Sequence, residues 1–345
     1  DRRMKILVTG GAGFIGSEYV RSLLAGRLDG ATEHSDSDHS GSGHSSAGHT
    51  VTVYDKLTYS GNVANLAPVA DDPRYTFVRG DINDAALLDE VLPGHDAVVH
   101  FAAESHVDRS ITGAGDFVTT NVVGTQMLLD AVRRGGIPRF LHVSTDEVYG
   151  SIDEGSWTEE WPLSPNSPYS ASKAGSDLLV LAAHRTHGLN AVVTRCSNNY
   201  GHYHFPEKMI PLFVTNLLDG GRVPLYGDGG NVRDWLHVSD HVRGIHLVLT
   251  KGRSGEVYNI GGGTELTNKE LTQRLLDACG ADWSSVDNVP DRKGHDRRYS
   301  LDITKIGQEL GYAPQVSFDE GLARTVEWYR ENRAWWEPLK AKAAL

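Results

Sequence analysis

Short apolar runs alternate with longer segments of helical character along much of the chain. The runs are KILVTG (5–10), TVTVYD (50–55), YTFVRGD (75–81), AVVHFAA (97–103), RFLHVST (139–145), NAVVTRC (190–196) and EVYNIGG (256–262). Nearly continuous apolar strands separated by helices predict a parallel sheet that helices cover on both faces. The sequence therefore predicts an α/β fold with a doubly wound parallel sheet. Ligands of such sheets bind beyond the carboxyl ends of the strands.

The character of the chain changes after residue 197. Loops rich in glycine, proline and aromatic residues, such as NNYGHYHFPEKMIP, replace the apolar runs, and an amphipathic helix is predicted at 318–332. We predict a larger domain that contains the sheet and comprises residues 1–196 plus 237–263. A smaller substrate-binding domain would comprise residues 197–236 plus 264–345.

Composition and charge narrow the classes of partner. With 345 residues, of which 39% are hydrophobic, the chain can bury a full core. The formal net charge of -12 argues against binding to nucleic acid or to an anionic membrane, because both need a basic face. Cys196 and Cys279 are the only cysteines, which favours a reducing, cytoplasmic location. No apolar run approaches the roughly 20 residues of a membrane span.

A low-complexity insertion at residues 26–50 interrupts the first predicted strand–helix–strand unit. Its histidines His34, His39, His44 and His49 recur every five residues, and such tracts can bind metal. Glycine and serine leave little to hold a coordination geometry, so we expect a mobile surface insertion. No metal site is expected from the sequence.

The segment TGGAGFIG (9–16) follows the first predicted strand and opens a helix. Gly10, Gly13 and Gly16 permit a tight turn and close backbone approach, and the helix amino terminus offers N–H donors to a pyrophosphate. The second strand ends in Asp55, which would accept hydrogen bonds from the adenosine ribose hydroxyls and repel a 2′-phosphate. These features predict a Rossmann-type domain that binds NAD rather than NADP.

The segment YSASK places Tyr169 and Lys173 on one face of a helix. A phenol with an ordinary pKa of ~10 is not a base at neutral pH. A nearby ammonium and the positive nicotinamide would both favour the phenolate and lower that pKa. With Thr145 at a strand end to hold the same hydroxyl, Tyr169 is expected to take a proton from a sugar hydroxyl while hydride leaves its carbon.

Two adjacent carboxylates, Asp146 and Glu147, follow the strand predicted at 139–145. Desolvating such acids is unfavourable, so their position at the end of a buried strand indicates a chemical role. Successive residues of an extended strand point to opposite faces, so both acids can face one ligand only if the chain curls at Asp146.

These motifs resemble those of one family. TGGAGFIG, DKLTYSGN (55–62), HFAAESHVDRS (100–110), STDEVYG (144–150), YSASKAGSD (169–177), NNYG (198–201) and RKGHDRRYSLD (292–302) together look like the dTDP-glucose 4,6-dehydratases of the extended short-chain dehydrogenase/reductase family. The resemblance runs from Lys5 to about Pro338 and is broken mainly by the insertion. The glycine loop and YxxxK occur across the superfamily, whereas the Thr-Asp-Glu triplet is specific to the dehydratases.

The resemblance implies the conversion of dTDP-glucose to dTDP-4-keto-6-deoxyglucose and water. After oxidation at C4, Glu147 would remove the C5 proton and Asp146 would protonate the departing C6 hydroxyl. The stored hydride would return to C6, which regenerates NAD. Asp146 can be protonated at neutral pH only if burial or the charge of Glu147 raises its pKa. The catalytic residues would be Thr145, Asp146, Glu147, Tyr169 and Lys173.

The resemblance also implies the ligand contacts. Those for NAD are Gly10, Gly13, Phe14, Ile15, Gly16, Asp55, Lys56, Leu57, Thr58, Asp81, Ile82, Phe101, Ala102, Ala103, Ser105, Thr120, Tyr169, Lys173 and Asn199. Those for the nucleotide sugar are Ser105, Thr145, Asp146, Glu147, Asn198, Lys208, Met209, Pro224, Leu225, Tyr226, Arg233, Asn268, Arg292, His295 and Tyr299. Arg233 would hold the diphosphate, because an acidic protein needs placed cations for such a ligand.

The resemblance further implies a homodimer. Helices near 121–135 and 169–186 would form a four-helix bundle between subunits. The apolar positions that would supply its contacts, or equally pack inside the subunit, are Val122, Met127, Leu128, Leu178, Leu179 and Leu181.

Three other functions share parts of this pattern. A nucleotide-sugar 4-epimerase has the fold, NAD and YxxxK but needs no acid–base pair at C5 and C6, so Asp146 and Glu147 argue against it. A GDP-mannose dehydratase uses NADP, which Asp55 disfavours. A non-catalytic dinucleotide sensor would have no need of Tyr169 and Lys173.

Overall fold

The computed structural model describes residues 2–29 and 48–343, so the expectations for residues 30–47 of the insertion lie outside the described part. The strands are β1 (Lys5–Thr9), β2 (Thr50–Asp55), β3 (Tyr75–Arg79), β4 (Ala97–His100), β5 (Arg139–Thr145), β6 (Ala191–Cys196), β7 (Asn198–Tyr200), β8 (Val223–Tyr226), β9 (Val232–His237), β10 (Val257–Ile260), β11 (Glu265–Thr267) and β12 (Val286–Val289). All seven predicted strands are present, some with shorter ends.

The α-helices of the described part are α1 (Phe14–Leu24), α2 (Ala85–Val91), α3 (Val107–Thr112), α4 (Ala114–Phe117), α5 (Gly124–Arg134), α6 (Pro168–His187), α7 (Met209–Leu218), α8 (Val238–Lys251), α9 (Asn268–Cys279), α10 (Thr304–Leu310), α11 (Phe318–Glu331) and α12 (Arg333–Ala343). Single 3-10 segments lie at Val63–Val69, Asp146–Tyr149 and Trp283–Ser285, and a π-helical segment at Val118–Val123 joins α4 to α5. None of these helices is long and apolar enough to cross a membrane.

Seven strands form one parallel sheet in the order β10-β6-β5-β4-β1-β2-β3. Alternate strand residues fill apolar cores on its two faces. Ile6 and Val8 of β1 pack with α1 and α8 on one face, whereas Leu7 packs with α5 and α6 on the other. Burial on both faces is why the strands are apolar almost throughout, and the predicted doubly wound sheet is confirmed.

The segments assigned to the smaller domain build separate structure. Strands β7, β9 and β11 form a second sheet, and β8 pairs with β12. A third apolar cluster joins Phe213 of α7, Trp235 of β9, Leu275 of α9 and Tyr329 of α11. This cluster is compatible with the predicted division of the chain, which stays a prediction.

Helix α6 carries Tyr169 and Lys173, and both of its ends follow from local sequence. The Ser167 hydroxyl caps the amino terminus by accepting a hydrogen bond from the N–H of Ser170 at 3.1 Å, and proline occupies the first turn. At the other end Gly188 adopts a left-handed conformation with φ of 66°. The helix therefore starts at a defined residue, which fixes where its first turn meets the sheet.

Candidate active site

A cavity of about 470 Å³ opens at the carboxyl ends of β1, β4, β5 and β6. The strand order reverses between β1 and β4, which is the point where open α/β sheets bind their ligands. Every residue that the sequence predicted as a ligand contact lines this cavity, with the exceptions of Leu57 and Tyr299.

The glycine loop after β1 packs too tightly for side chains. Gly10 has a φ of 67°, and a Cβ atom there would lie 2.6 Å from the backbone nitrogen of Ala102. A Cβ atom on Gly16 would lie 2.3 Å from the carbonyl oxygen of Gly10. Glycine is therefore required at both positions, and the compact turn places the amino terminus of α1 at the cavity.

Two backbone N–H groups fix the carboxylate of Asp55 at the end of β2. Oδ2 accepts a hydrogen bond from Ala12 at 3.0 Å, and Oδ1 accepts one from Leu57 at 2.7 Å. Burial raises the pKa of Asp55, and these two hydrogen bonds oppose that rise. Each oxygen keeps a lone pair for a ribose hydroxyl. Leu57 itself does not line the cavity, because its side chain packs on the core, so it acts through its N–H.

Strand β5 ends at Thr145, and the chain turns at once into the 3-10 segment Asp146–Tyr149. The Thr145 hydroxyl caps this turn by accepting a hydrogen bond from the N–H of Glu147 at 3.2 Å. Gly150, with φ of 95°, ends it. The predicted curl at Asp146 is confirmed, and it brings both acids to the cavity.

The two acids differ in their electrostatic surroundings. Burial and then the charge of Glu147 raise the pKa of Asp146 well above its ordinary value. Burial also raises the pKa of Glu147, but neighbouring cations oppose this rise. They are Arg292, Lys208 and Arg233. Oδ2 of Asp146 and Oε2 of Glu147 are buried and have no hydrogen-bond partner among the described residues. Unpartnered buried oxygens of this kind call for a functional explanation.

Tyr169 and Lys173 lie one turn apart on α6 and both line the cavity. The Nζ of Lys173 donates a hydrogen bond to the carbonyl oxygen of Val143 at 2.9 Å, and burial lowers the pKa of this lysine. Burial and then the charge of Glu147 raise the pKa of Tyr169 well above its ordinary value. In the polypeptide alone desolvation and the acids therefore dominate the phenol pKa, whereas the expected lowering depends on the nicotinamide charge as well as on Lys173 and stays a prediction.

A buried ion pair lies one turn beyond Lys173. Oδ2 of Asp177 accepts a hydrogen bond from Nε of Arg195 at 2.9 Å, and both side chains are buried. Arg195 also donates to the Tyr149 hydroxyl at 3.1 Å. The charge of Asp177 opposes the lowering of the Lys173 pKa by burial. Asp177 thereby favours a charged lysine within the protein interior.

Tyr299 and Asp296 hold the guanidinium of Arg233 in position. This guanidinium stacks on the ring of Tyr299 at 4.0 Å and donates to the carbonyl oxygen of Asp296 at 2.9 Å. The Tyr299 hydroxyl donates to Oδ2 of Asp296 at 2.5 Å. Tyr299 thus does not line the cavity as predicted, but supports the arginine that does.

Several residues that line the cavity were not predicted as ligand contacts. Asp108 accepts a hydrogen bond from Arg292 at 3.3 Å across 184 positions of sequence. Glu207 accepts one from Arg109 at 3.0 Å, and the same guanidinium stacks on Tyr59 at 4.0 Å. Asp108, Arg109 and Tyr59 lie in recognised motifs, but their partners are distant in sequence, so the motifs did not indicate these pairings.

Comparison with known proteins gives consistent relatives. Residues 43–325 match the family model described as GDP-mannose 4,6 dehydratase. A dTDP-glucose 4,6-dehydratase of Streptomyces niveus is 64% identical over 338 residues, which cover 98% of this chain and 96% of that protein. The dTDP-glucose 4,6-dehydratase 1 of Escherichia coli K12 is 46% identical over 368 residues, which cover 99% of this chain and 96% of that protein.

Solved structures similar to this chain include members of the same family as the sequence relatives. The crystal structure of a dTDP-glucose 4,6-dehydratase from Streptomyces venezuelae with NAD bound is 66% identical, has a TM-score of 0.92, and covers 97% of this chain and 100% of its own. The chain belongs to the dTDP-glucose 4,6-dehydratase family. This family shares its fold with a UDP-glucose 4-epimerase of Thermotoga maritima, which is 33% identical with a TM-score of 0.83 and covers 96% of this chain and 100% of its own. The resemblance drawn from the dehydratase motifs is confirmed.

Proposed function

We infer that the protein is an NAD-dependent dTDP-glucose 4,6-dehydratase, a hydro-lyase that forms dTDP-4-keto-6-deoxyglucose and water. The observation that carries this inference is the turn that presents Asp146 and Glu147 to one cavity, each with a buried oxygen that has no partner among the described residues. Tyr169 and Lys173 line the same cavity. Relatives that bear this name match nearly the whole chain.

The residues present fit NAD. The glycine loop forms a cradle that a Cβ atom at Gly10 or Gly16 would fill, and Asp55 presents two oxygens suited to ribose hydroxyls. When bound, NAD supplies the hydride acceptor and later the hydride donor. The other proposed NAD contacts on the cavity wall are Gly13, Phe14, Ile15, Lys56, Thr58, Asp81, Ile82, Phe101, Ala102, Ala103, Ser105, Thr120 and Asn199.

Tyr169 and Thr145 are proposed to act on the hydroxyl at C4. The phenol oxygen takes the hydroxyl proton, and Lys173 favours the phenolate through its charge. The Thr145 oxygen already accepts the N–H of Glu147, and its contact to Asp146 is long at 3.4 Å, so its own hydrogen is available to hold the sugar oxygen.

Glu147 and Asp146 are proposed to divide the elimination between them. The cations near Glu147 favour its ionised form, which removes the proton from C5. The raised pKa of Asp146 favours its neutral form, which gives a proton to the departing hydroxyl at C6. The two pKa values are both raised by burial, and only that of Glu147 is opposed mainly by neighbouring cations, which supports this division of roles.

The nucleotide half of the substrate is proposed to lie against the loops after β6. Arg233 is only 5% exposed yet lines the cavity, so its charge is placed for a diphosphate. Burial lowers the pKa of Lys208 to about 8, and its Nζ donates to the carbonyl oxygen of Ser105 at 2.8 Å. The remaining proposed contacts are Asn198, Met209, Pro224, Leu225, Tyr226, Asn268, Arg292 and His295.

Incubation with dTDP-glucose tests the function directly. We expect a product with the alkaline absorbance of a 4-keto sugar, and much less of it from UDP-glucose or GDP-mannose. Formation of dTDP-galactose without a 4-keto-6-deoxy product would identify an epimerase and overturn the inference. NAD released from the purified protein by acid would be identified by enzymatic cycling against NADP.

A homodimer is also proposed. Large apolar side chains are exposed on α6 and on the π-helical segment, which overlap the two helices that the resemblance assigns to a four-helix bundle, and also on the neighbouring α3. They are Ile111, Val118, Val123 and Leu178, at 36%, 48%, 47% and 54% exposure. Leu128, also named from the sequence as a bundle contact, is instead fully buried in the core beside the sheet.

A cytoplasmic location completes the proposal. Cys196 and Cys279 are both free thiols, as a reducing compartment favours. The negative net charge gives no support for a nucleic-acid or membrane partner. Fractionation of the producing cells, with the protein detected by antibody, tests the location.

A further inference from the structure

Three side chains of metal-ligating type meet near the amino-terminal ends of the sheet strands, opposite the cavity at their carboxyl ends. Asp29 lies in the turn after α1, His49 immediately precedes β2, and His246 lies on α8. The Nε2 atoms of His49 and His246 are 3.1 Å and 3.7 Å from Oδ1 of Asp29. The three atoms all lie within 4.8 Å of one another.

We propose that Asp29, His49 and His246 bind a divalent transition-metal ion of the zinc type. Imidazole nitrogen and carboxylate oxygen bind zinc at about 2.0–2.2 Å, so tetrahedral ligand atoms are roughly 3.4 Å apart. The observed separations of 3.1 Å and 3.7 Å lie on either side of that value. Water would complete the coordination.

Burial and charge favour a cation at this position. His49 and His246 are 1% and 5% exposed, and the Asp29 side chain is 14% exposed. Oδ2 of Asp29 is buried and has no hydrogen-bond partner in residues 2–29 and 48–343. Within the same described ranges, Asp29 forms ion pairs with the two histidines and not with a lysine or arginine. A divalent ion would compensate the buried carboxylate.

The two imidazoles differ in the hydrogen bond that each makes through Nδ1, the nitrogen that would not bind the metal. The Tyr19 hydroxyl is 3.0 Å from Nδ1 of His246, and when it accepts the Nδ1 proton, Nε2 keeps its lone pair for the metal. Nδ1 of His49 accepts a hydrogen bond from the N–H of Met4 at 3.1 Å, which places the ring proton on Nε2. Metal binding must therefore move that proton to Nδ1 and break the bond to Met4. The loss of that bond opposes metal binding.

The site is not a product of the histidine repeat alone. Only His49 belongs to the repeat, while Asp29 lies before its first member and His246 is nearly 200 positions away. A metal bound here would link the two ends of the insertion to α8. The proposed site departs from the expectation of no metal site. A bound metal would fix the positions of Asp29 and His49, the described residues at the two ends of the insertion.

Cobalt and zinc titrations of untagged, chelator-treated protein test the proposal. We expect one equivalent of Co²⁺ to give the visible absorption of a tetrahedral site, and Zn²⁺ to displace it with a Kd of roughly 1 µM or tighter. Zinc at about 100 times the Kd should raise the Tm by roughly 4 °C. Absence of saturable binding to the wild-type chain would overturn the proposal and leave these residues as a hydrogen-bonded cluster.

Variants decide which side chains bind the metal. Asp29→Asn and His246→Gln should each weaken binding by about 100-fold or more. Two controls should bind normally: the triple change of His34, His39 and His44 to alanine, and His95→Gln. Unchanged affinity in Asp29→Asn, or loss of binding in the triple variant, would contradict the assignment. Dehydratase turnover reports on folding of each variant, and His49→Gln replaces any ligand variant that does not fold.

Discussion

The hydroxyl oxygen of Thr145 accepts a hydrogen bond from the backbone N–H of Glu147 at 3.2 Å. This bond closes the first turn after β5. In an extended strand Asp146 and Glu147 would point to opposite faces, whereas in the turn both line one cavity. The residue proposed to hold the sugar hydroxyl therefore also fixes the backbone that carries the acid and the base.

Removing either acid should stop elimination without unfolding the protein. Asp146→Asn and Glu147→Gln should lower turnover by about 10²–10⁴-fold, the usual contribution of a general acid or base. NAD content and Tm should change little, and reduction of bound cofactor by substrate should survive better, because it depends on Tyr169 and Lys173. Glu160→Gln, an exposed acid in the same region, is the control. Near-wild-type turnover in both variants would refute the roles.

The pH dependence of kcat should be bell-shaped. Activity falls at low pH as Glu147 gains a proton and at high pH as Asp146 loses one. Arg292 is the first of the groups that lower the pKa of Glu147. In Arg292→Gln that pKa rises, so the acid limb should move to higher pH, measured under saturating substrate. Arg297→Gln, which removes an exposed partner of Asp228, should leave the limb in place.

Gly16→Ala should impair NAD binding. The new Cβ would lie 2.3 Å from the carbonyl oxygen of Gly10, so the loop must shift at a cost of about 1–3 kcal/mol. The NAD content of the purified protein and its Tm should both fall. In Gly115→Ala no described atom outside the chain neighbours and the helix's own backbone lies within 4 Å of the new Cβ, so this variant should match the wild type in both measurements. Full NAD content in Gly16→Ala would show that the loop can relax.

The parts of the site that were predictable lie in local motifs. The glycine loop, Asp55, the Thr-Asp-Glu triplet and YxxxK each belong to one strand end or one helix turn. Pairings between distant motifs gave no such signal. Arg292 and Asp108 each lie in a recognised motif, but only the folded chain brings them within 3.3 Å of each other. The effects of burial were not predictable from motifs either: burial raises the phenol pKa of Tyr169, and of the two alternatives left open for Leu128 the structure shows the core position.

Leu178→Glu should separate the proposed dimer. Leu178 is 54% exposed on α6, so the subunit loses little packing, whereas a charge in a bundle between subunits is strongly unfavourable. Light scattering at micromolar concentration should give a monomeric mass with an unchanged circular dichroism spectrum. Val63 is 49% exposed and lies outside the helices of the proposed bundle, so the Val63→Glu variant should stay dimeric. A monomeric wild type would remove the basis of the proposal.

Shortening the insertion should have little effect on the fold. Replacing Glu33–Gly48 by a short Gly-Ser linker should change the free energy of unfolding by about 1 kcal/mol or less, since loop-closure entropy depends weakly on length. Turnover should match the wild type, because the described ends of the insertion lie near the amino-terminal ends of the strands, whereas the cavity lies at their carboxyl ends. Loss of most activity would show that the insertion contributes to the reaction.

The 3.1 Å contact between Asp29 and His49 brings close together the two described chain segments that flank residues 30–47. A guest protein whose own termini are adjacent can be spliced between them without pulling α1 from β2. A fluorescent reporter or a surface-binding module inserted there would tether the enzyme by the edge away from its catalytic mouth. Immobilised in this orientation, the protein would leave the cavity open to a flowing solution of nucleotide sugar.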